Sequence, residues 1–173
     1  VSGATSYSAE EIAAALTADP TTLRHGEAFT GRPTTVIRVT GSQVVKLRTE
    51  VTQANALTWT QDALARERAM RVQHPSKTWF VARTQGVGSM TVAGSICPLL
   101  HPLHVAWREP VRDAAARAIR LRQLLRLLQS YFQVRRSGWD LDLGLSNFGI
   151  DPAGELFYLD DDVYPAHPGH AGL

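Results

Sequence analysis

The pattern of apolar and polar positions changes period several times along the chain. Residues 8–18, SAEEIAAALTA, read as a helix: Ser8 and Glu11 have capping-box spacing, and Asp19-Pro20 ends it. TTVIRV and QVVKLR are β-branched runs separated by Thr40-Gly41-Ser42, the pattern of a hairpin. Residues 53–73, rich in Ala, Leu, Arg and Glu, predict a helix that stops before His74-Pro75. TWFVART and SMTVAGSICPLL predict two more strands, with Gly86 and Gly88 between them. The first hundred residues thus predict a small sheet of four or five strands with one long helix after the third. The longest helix is expected over 109–136, with Pro110 in its first turn, a wide apolar face in LRQLLRLLQSYF, and Gly138 just beyond its end. Two short strands, near Asn147–Ile150 and Leu156–Leu159, flank the turn Asp151-Pro-Ala-Gly154.

Composition narrows the class. With 173 residues, 44% of them hydrophobic, the chain can bury one core, undivided or split into two lobes. The formal net charge is only +2, and the arginines of 108–136 are followed by an acid-rich segment. No basic run is interleaved with aromatics, so internal pairing and a solvated face are expected rather than nucleic acid. Lys46 and Lys77 are the only lysines; an Arg- and Ala-rich, Lys-poor chain points to a GC-rich bacterial genome. Cys97 is the single cysteine, which excludes an internal disulfide, and its apolar surroundings predict a buried thiol. No apolar run has the length of a membrane span, and the N-terminus lacks a charged-then-apolar leader, so no membrane and a cytoplasmic location are expected.

The acids carry the candidate chemistry. GWDLDLGLSNFGID (residues 138–151) and LFYLDDDVYP (156–165) place carboxylates among Trp, Leu, Phe and Tyr. Asn147 follows Asp142 by five positions, and Asp160 follows Asn147 by thirteen. An Asp beside an acceptor hydroxyl, then an Asn and an Asp on metal, is the order that holds the magnesium ions of a nucleotide. Mg²⁺ takes one or two carboxylates plus phosphate oxygens rather than a closed protein cage. Upstream, Lys46 in QVVKLR faces away from Val45 and Leu47. A strand lysine is ordinarily a solvated edge residue, but Glu67 on the next helix shares a stripe with Ala63, Leu64 and Met70. An inward-facing acid needs a cationic partner. Lys46 and Arg71, the latter at i+4, are both open as that partner.

Taken together these segments resemble the protein-kinase-like superfamily over roughly residues 25–165. VVKL resembles its third-strand lysine motif, WDLDLGLSNF its catalytic loop, and YLDDD its metal-binding Asp-Phe-Gly segment. The resemblance implies an α+β, two-lobed fold with a small antiparallel sheet plus one helix in the N-lobe and a reduced helical C-lobe. Residues 1–173 would be one kinase-like domain, with 1–100 the N-lobe, 101–173 the C-lobe and CPLLHPLH the hinge. It implies ATP and Mg²⁺ as cofactors and phosphoryl transfer to a hydroxyl of a protein or small molecule. Lys46 would hold the α/β-phosphates and Glu67 would position Lys46. Asp142 would orient or deprotonate the acceptor, and Asn147 and Asp160 would hold magnesium.

The chain also departs from that pattern. Asp140-Leu141 replaces the His-Arg before the catalytic Asp; Asp140 is either a second acid or, the favoured reading, a loop cap or solvent-facing residue. Asp161 and Asp162 replace Phe and Gly, so either is a further candidate for the metal, the substrate or the loop. Gly26 and Gly31 do not form a G-x-G-x-x-G. Only thirteen residues follow Asp160, too few for an activation loop or peptide-binding helices. The expectation is a minimal enzyme, a fragment, or a surface completed by a protein partner. The alternative class is a pseudokinase or scaffold that binds a partner or nucleotide without catalysis; nucleotidyl transfer is a third. His101 and His104 are expected in a hinge loop rather than on a metal, and His167 and His170 in a tail. Ser137 and Ser146 have no His nearby in sequence and no G-x-S-x-G occurs, against a serine hydrolase. A glycosidase pair of Asp142 and Asp160 would leave Lys46 and Asn147 unexplained. The four Trp residues are expected as core or lobe-interface anchors, with Trp139 alternatively walling the nucleotide pocket.

Overall fold

Ser8 starts the first helix, α1 (Ala9–Thr17). Its hydroxyl accepts from the Glu11 amide at 3.2 Å, and the Glu11 carboxylate accepts from the Ser8 amide at 2.7 Å, which closes the capping box. The computed structural model describes residues 6–18, 21–22, 34–70, 72–83, 90–162 and 164–166. The helix stop at Asp19-Pro20, the glycines Gly26, Gly31, Gly86 and Gly88, Arg71, and His25, His167 and His170 lie outside them. The fold is α+β with antiparallel sheets, and the chain divides into two compact units: residues 1–66 with 75–99, and 67–74 with 100–173.

The first unit is built on β1 (Thr21–Thr22), β2 (Thr35–Thr40) and β3 (Gln43–Arg48), followed by α2 (Ala56–Met70), β4 (Thr78–Arg83) and β5 (Thr91–Pro98). The sheet order is β1-β2-β3-β5-β4, with all neighbours antiparallel. Gly41, at φ 57°, makes the turn of the β2–β3 hairpin, where a left-handed residue matches the strand twist. Strand alternation gives the sheet two faces. Val45, Ile96 and Phe80 pack on one face with Ala15, the buried residue of α1. Ala93 on the other face packs with Val51 and Ala56, at the start of α2. Trp59 of α2 meets Trp79 of β4 edge-to-face at 5.6 Å. Lys46 belongs to this second face, in a row with Ile37, Ser95 and Trp79. Cys97 is buried, as its sequence context predicts.

In the second unit the chain forms β6 (His101–Pro102), α3 (Leu103–Ala106), α4 (Ala114–Arg136), β7 (Trp139–Asp140), β8 (Phe148–Ile150), β9 (Leu156–Tyr158) and β10 (Tyr164–Pro165). Strands β6, β8 and β9 make a three-stranded sheet, and β7 pairs separately with β10. Its core is Met70, Leu103, Leu127, Val134, Leu141, Phe148, Leu156 and Tyr158. The turn at 151–154 closes as its chemistry predicts. The Asp151 carboxylate accepts from Glu155 N–H at 2.9 Å, and Gly154 takes φ 82°.

Three sequence expectations are corrected. α4 begins at Ala114, not near Pro110, because Asp113 takes the N-cap and accepts from Ala116 N–H at 2.8 Å. α2 spans 56–70 rather than 53–73, so Glu67 lies in its last turn, half-buried beside Ala63 and Met70, rather than mid-helix. Beyond it the chain is tied to β9: Tyr158 N–H donates to the Gln73 carbonyl at 2.8 Å. Finally, the wide apolar face of α4 is only partly used by the core. Gln123, Leu127 and Val134 are buried, whereas Leu121, Leu125 and Phe132 are half exposed or more. Gly138, at φ 83°, does follow the helix end, with its N–H donating to Arg135 at 3.0 Å.

Gly94 is a position where a side chain has no room. A Cβ there would collide with the Lys46 carbonyl, a backbone atom held in the β3–β5 ladder. Gly94→Ala should therefore push the two strands apart and cost about 1–3 kcal/mol, seen as a fall in melting temperature of several degrees. An unchanged melting temperature would show that the ladder gives way freely.

Candidate functional site

The acid-bearing segments lie on two loops of the second unit, and the same two ladders bracket both. The first loop, 141–147, leaves β7 and enters β8. The second, 159–162, leaves β9 on the way to β10. β8 pairs with β9 and β7 with β10, so each loop is fixed at both ends to the other loop's flanking strands. Tyr164 stands opposite Asp140, and Phe148 opposite Tyr158. Buried side chains anchor the junctions. Leu141 precedes Asp142, Phe148 follows Asn147, and Tyr158 sits two residues before Asp160, all in the core.

Within the first loop, the Asp142 carboxylate accepts from Gly144 N–H at 2.9 Å, an Asx-type turn. A 3₁₀ turn over Leu145–Asn147 follows, with Asn147 N–H donating to the Gly144 carbonyl at 2.8 Å. The Asn147 side-chain amide donates to the Asp142 backbone carbonyl at 3.3 Å. With Nδ2 used in this way, the oxygen of the amide is the atom left to face a cation. A Cβ on Gly144 would sit 3.3 Å from the Asp142 carboxylate and 3.4 Å from the Asn147 amide, so the loop is tight at this point.

The second loop is tied directly to the first. Leu159 N–H donates to the Asn147 carbonyl at 2.8 Å, which sets Asp160 one residue from that bond. Asp160 Oδ1 accepts from Asp161 N–H at 2.8 Å, which orients its carboxylate. Asp161 is buried and Asp162 half-buried. The hydrogen bonds thus link Asn147 to the backbone of Asp142 and to Leu159, the residue before Asp160. Two carboxylates and an amide oxygen suit Mg²⁺, which fills its remaining positions with water and phosphate. Among the described residues, no three His, Cys, Asp or Glu side chains converge on a metal.

Lys46 stands on β3 of the first unit, opposite Ser95 on the face that α2 packs against. Glu67 counts with the second unit. Asp140 departs from expectation. It does not cap the 141–147 loop but pairs with Arg135 at 3.3 Å, because β7 begins just past the end of α4 and returns beside its last turn. The Arg135 guanidinium also takes a hydrogen bond to Tyr131 at 2.8 Å, which together with Asp140 favours its charged form. His101 lies in β6 and His104 in α3. Trp107 and Trp139 pack against the core of this unit, and Trp107 Nε1–H donates to Gln123 at 2.9 Å.

Tyr158 is not among the candidate residues of the sequence. It is 1% exposed, its ring edge-to-face with Phe148 at 5.2 Å and with His74 at 5.9 Å. Its hydroxyl donates to the Asp162 carbonyl at 3.1 Å. Burial, then the charge of Asp160, pushes its pKa well above the usual tyrosine range, so it stays a donor. The signal was available in LFYLDDD: alternation from Leu156 sends Tyr158 inward, where a buried hydroxyl requires a partner. No protein-family model matches the chain, and no curated protein matches it.

Tyr158→Phe keeps the ring contacts and removes the bond to Asp162. It should lower stability by about 1 kcal/mol in urea unfolding. Tyr158→Ala, which also empties the core, should cost about 3–5 kcal/mol. Equal losses in the two variants would show that the hydroxyl, not the ring, dominates.

Proposed function

We propose that the chain is a protein-kinase-like phosphotransferase that uses Mg-ATP to phosphorylate a hydroxyl group. The observation that carries this reading is the coupling of the two loops. Asn147 is held by the Asp142 carbonyl on one side and by Leu159, the neighbour of Asp160, on the other. This supports a site whose three oxygen donors come from two short loops on a packed core. The donor set fits magnesium in kind, as two hard carboxylates with one amide oxygen.

In this reading Mg-ATP, when bound, would supply the phosphoryl group and the charge neutralisation that transfer needs, while the chain's own residues bind and orient. Asn147 and Asp160 would hold the metal. Asp142 accepts or steers the proton of the acceptor hydroxyl, and its carboxylate is aimed by the Gly144 amide. Lys46 is assigned to the α/β-phosphates and Glu67 to positioning it, on the sequence resemblance. Asp140, paired with Arg135, is assigned to structure rather than chemistry.

The test is thermal stability of the whole chain with ATP, with and without Mg²⁺. Ligand at a hundred times its dissociation constant should stabilise by about 2.7 kcal/mol. Mg-ATP should raise the melting temperature more than ATP alone, and Asp160→Ala and Asn147→Ala should each abolish the magnesium-dependent part. No shift for the unaltered chain at millimolar Mg-ATP would overturn nucleotide binding and leave the non-catalytic scaffold. If binding is seen, the mass added to an acceptor, a phosphate or a whole nucleotide, separates phosphoryl from nucleotidyl transfer.

A further inference from the structure

Helix α4 presents a second apolar stripe on the side turned away from the core of its unit. Leu121, Leu124, Leu125, Leu128 and Phe132 follow the spacing i, i+3, i+4, i+7, i+11, which at 100° per residue is one continuous face about 16 Å long. All five are exposed, Leu121 to 57% and Phe132 to 58%. The buried residues Gln123, Leu127 and Val134 lie on a different side of the helix. Exposed leucines are ordinary one by one; five in register are not.

The charge pattern narrows what would cover this face. α4 contains six arginines and no acid. Arg120 is used locally, donating to the backbone carbonyls of Ala106 and Glu109, and Arg135 pairs with Asp140. Arg117, Arg122, Arg126 and Arg136 are exposed. A second copy laid on the stripe would set arginine against arginine with no acid on either helix, a repulsive arrangement. The stripe also borders a groove of about 760 Å³ between α4 and the β8–β9 turn, whose walls include Ile119, Arg122, Leu125, Arg126 and Glu155. A concave groove with two arginines to one acid, beside an apolar stripe, receives side chains projecting from a polypeptide better than it receives a flat bilayer.

We propose that this face docks an amphipathic helix of a partner protein, with an apolar stripe flanked by Asp or Glu. The apolar side of that helix lies on Leu121, Leu125, Leu128 and Phe132, and its acids meet Arg122 and Arg126 at the groove. The surface lies wholly within the second unit and does not involve Asp142, Asn147 or Asp160, so the proposal stands apart from the assigned chemistry.

The experiment is fluorescence anisotropy with two labelled helical peptides that share a Leu stripe, one flanked by Glu and the other by Lys. The Glu peptide should bind the unaltered chain saturably and more weakly as salt is raised. The Lys peptide should not bind. Leu125→Glu should weaken the Glu peptide by about tenfold or more, the effect expected of a central apolar contact. The double variant Arg122→Glu/Arg126→Glu should lose the Glu peptide and gain the Lys peptide. All these side chains are exposed, so circular dichroism should show the fold unchanged, and the comparison of the two peptides on the unaltered chain depends on no variant. Failure of the Glu peptide to bind, or equal binding of both, overturns the proposal. So does tighter binding to phosphatidylserine vesicles than to the peptide, or self-association in ultracentrifugation that Leu128→Glu abolishes.

Discussion

Two short ladders, β8 with β9 and β7 with β10, hold the candidate site together. Each joins a strand beside one acid-bearing loop to a strand beside the other. A loop fixed at one end is free to swing; a pair of loops fixed to each other at both ends is not. The side chains that face the core at these junctions, Leu141, Phe148 and Tyr158, convert hydrophobic burial into the placement of polar groups one or two residues away. The hydrogen bonds from Asn147 to Asp142 and from Leu159 to Asn147 then set the remaining freedom.

Much of this was legible in the sequence. The hairpin at Gly41, the capping box of Ser8 and Glu11, and the turn at Asp151 rest on local chemistry that a few adjacent residues specify. The spacing of Asp142, Asn147 and Asp160 also showed in the chain, because the ladder joins segments close in sequence. What escaped depends on distant partners. Asp140 reads as a loop cap until the return of β7 beside the end of α4 supplies Arg135. Pro110 is a good first-turn residue, yet Asp113 is a better cap, and the choice between them is a competition that propensity alone does not settle. The apolar stretch of α4 misled for a related reason. A leucine-rich helix announces apolar faces but not which of them the rest of the fold will cover.

The aspartate triplet at 160–162 divides into unlike members once its bonds are known. Asp160 has its carboxylate aimed by the next amide, Asp161 is drawn into the interior, and Asp162 contributes its backbone carbonyl to Tyr158. Three identical residues in a row therefore meet three different environments. The ring of Tyr158, two residues upstream of Asp160, packs edge-to-face on Phe148 and anchors the start of the triplet in the core.

The two ladders differ in strength, and that difference has a dynamic consequence. β8–β9 is three residues long, belongs to a larger sheet and ends on a fully buried tyrosine. β7–β10 is two residues long, and Tyr164 and Pro165 are exposed. Local opening follows burial, so amide exchange should grade along the second loop, slowest at Leu159 and fastest toward Tyr164. The loop is thus held with unequal strength at its two ends: firmly at the Asn147–Leu159 bond, and less so at the short, exposed β7–β10 pair.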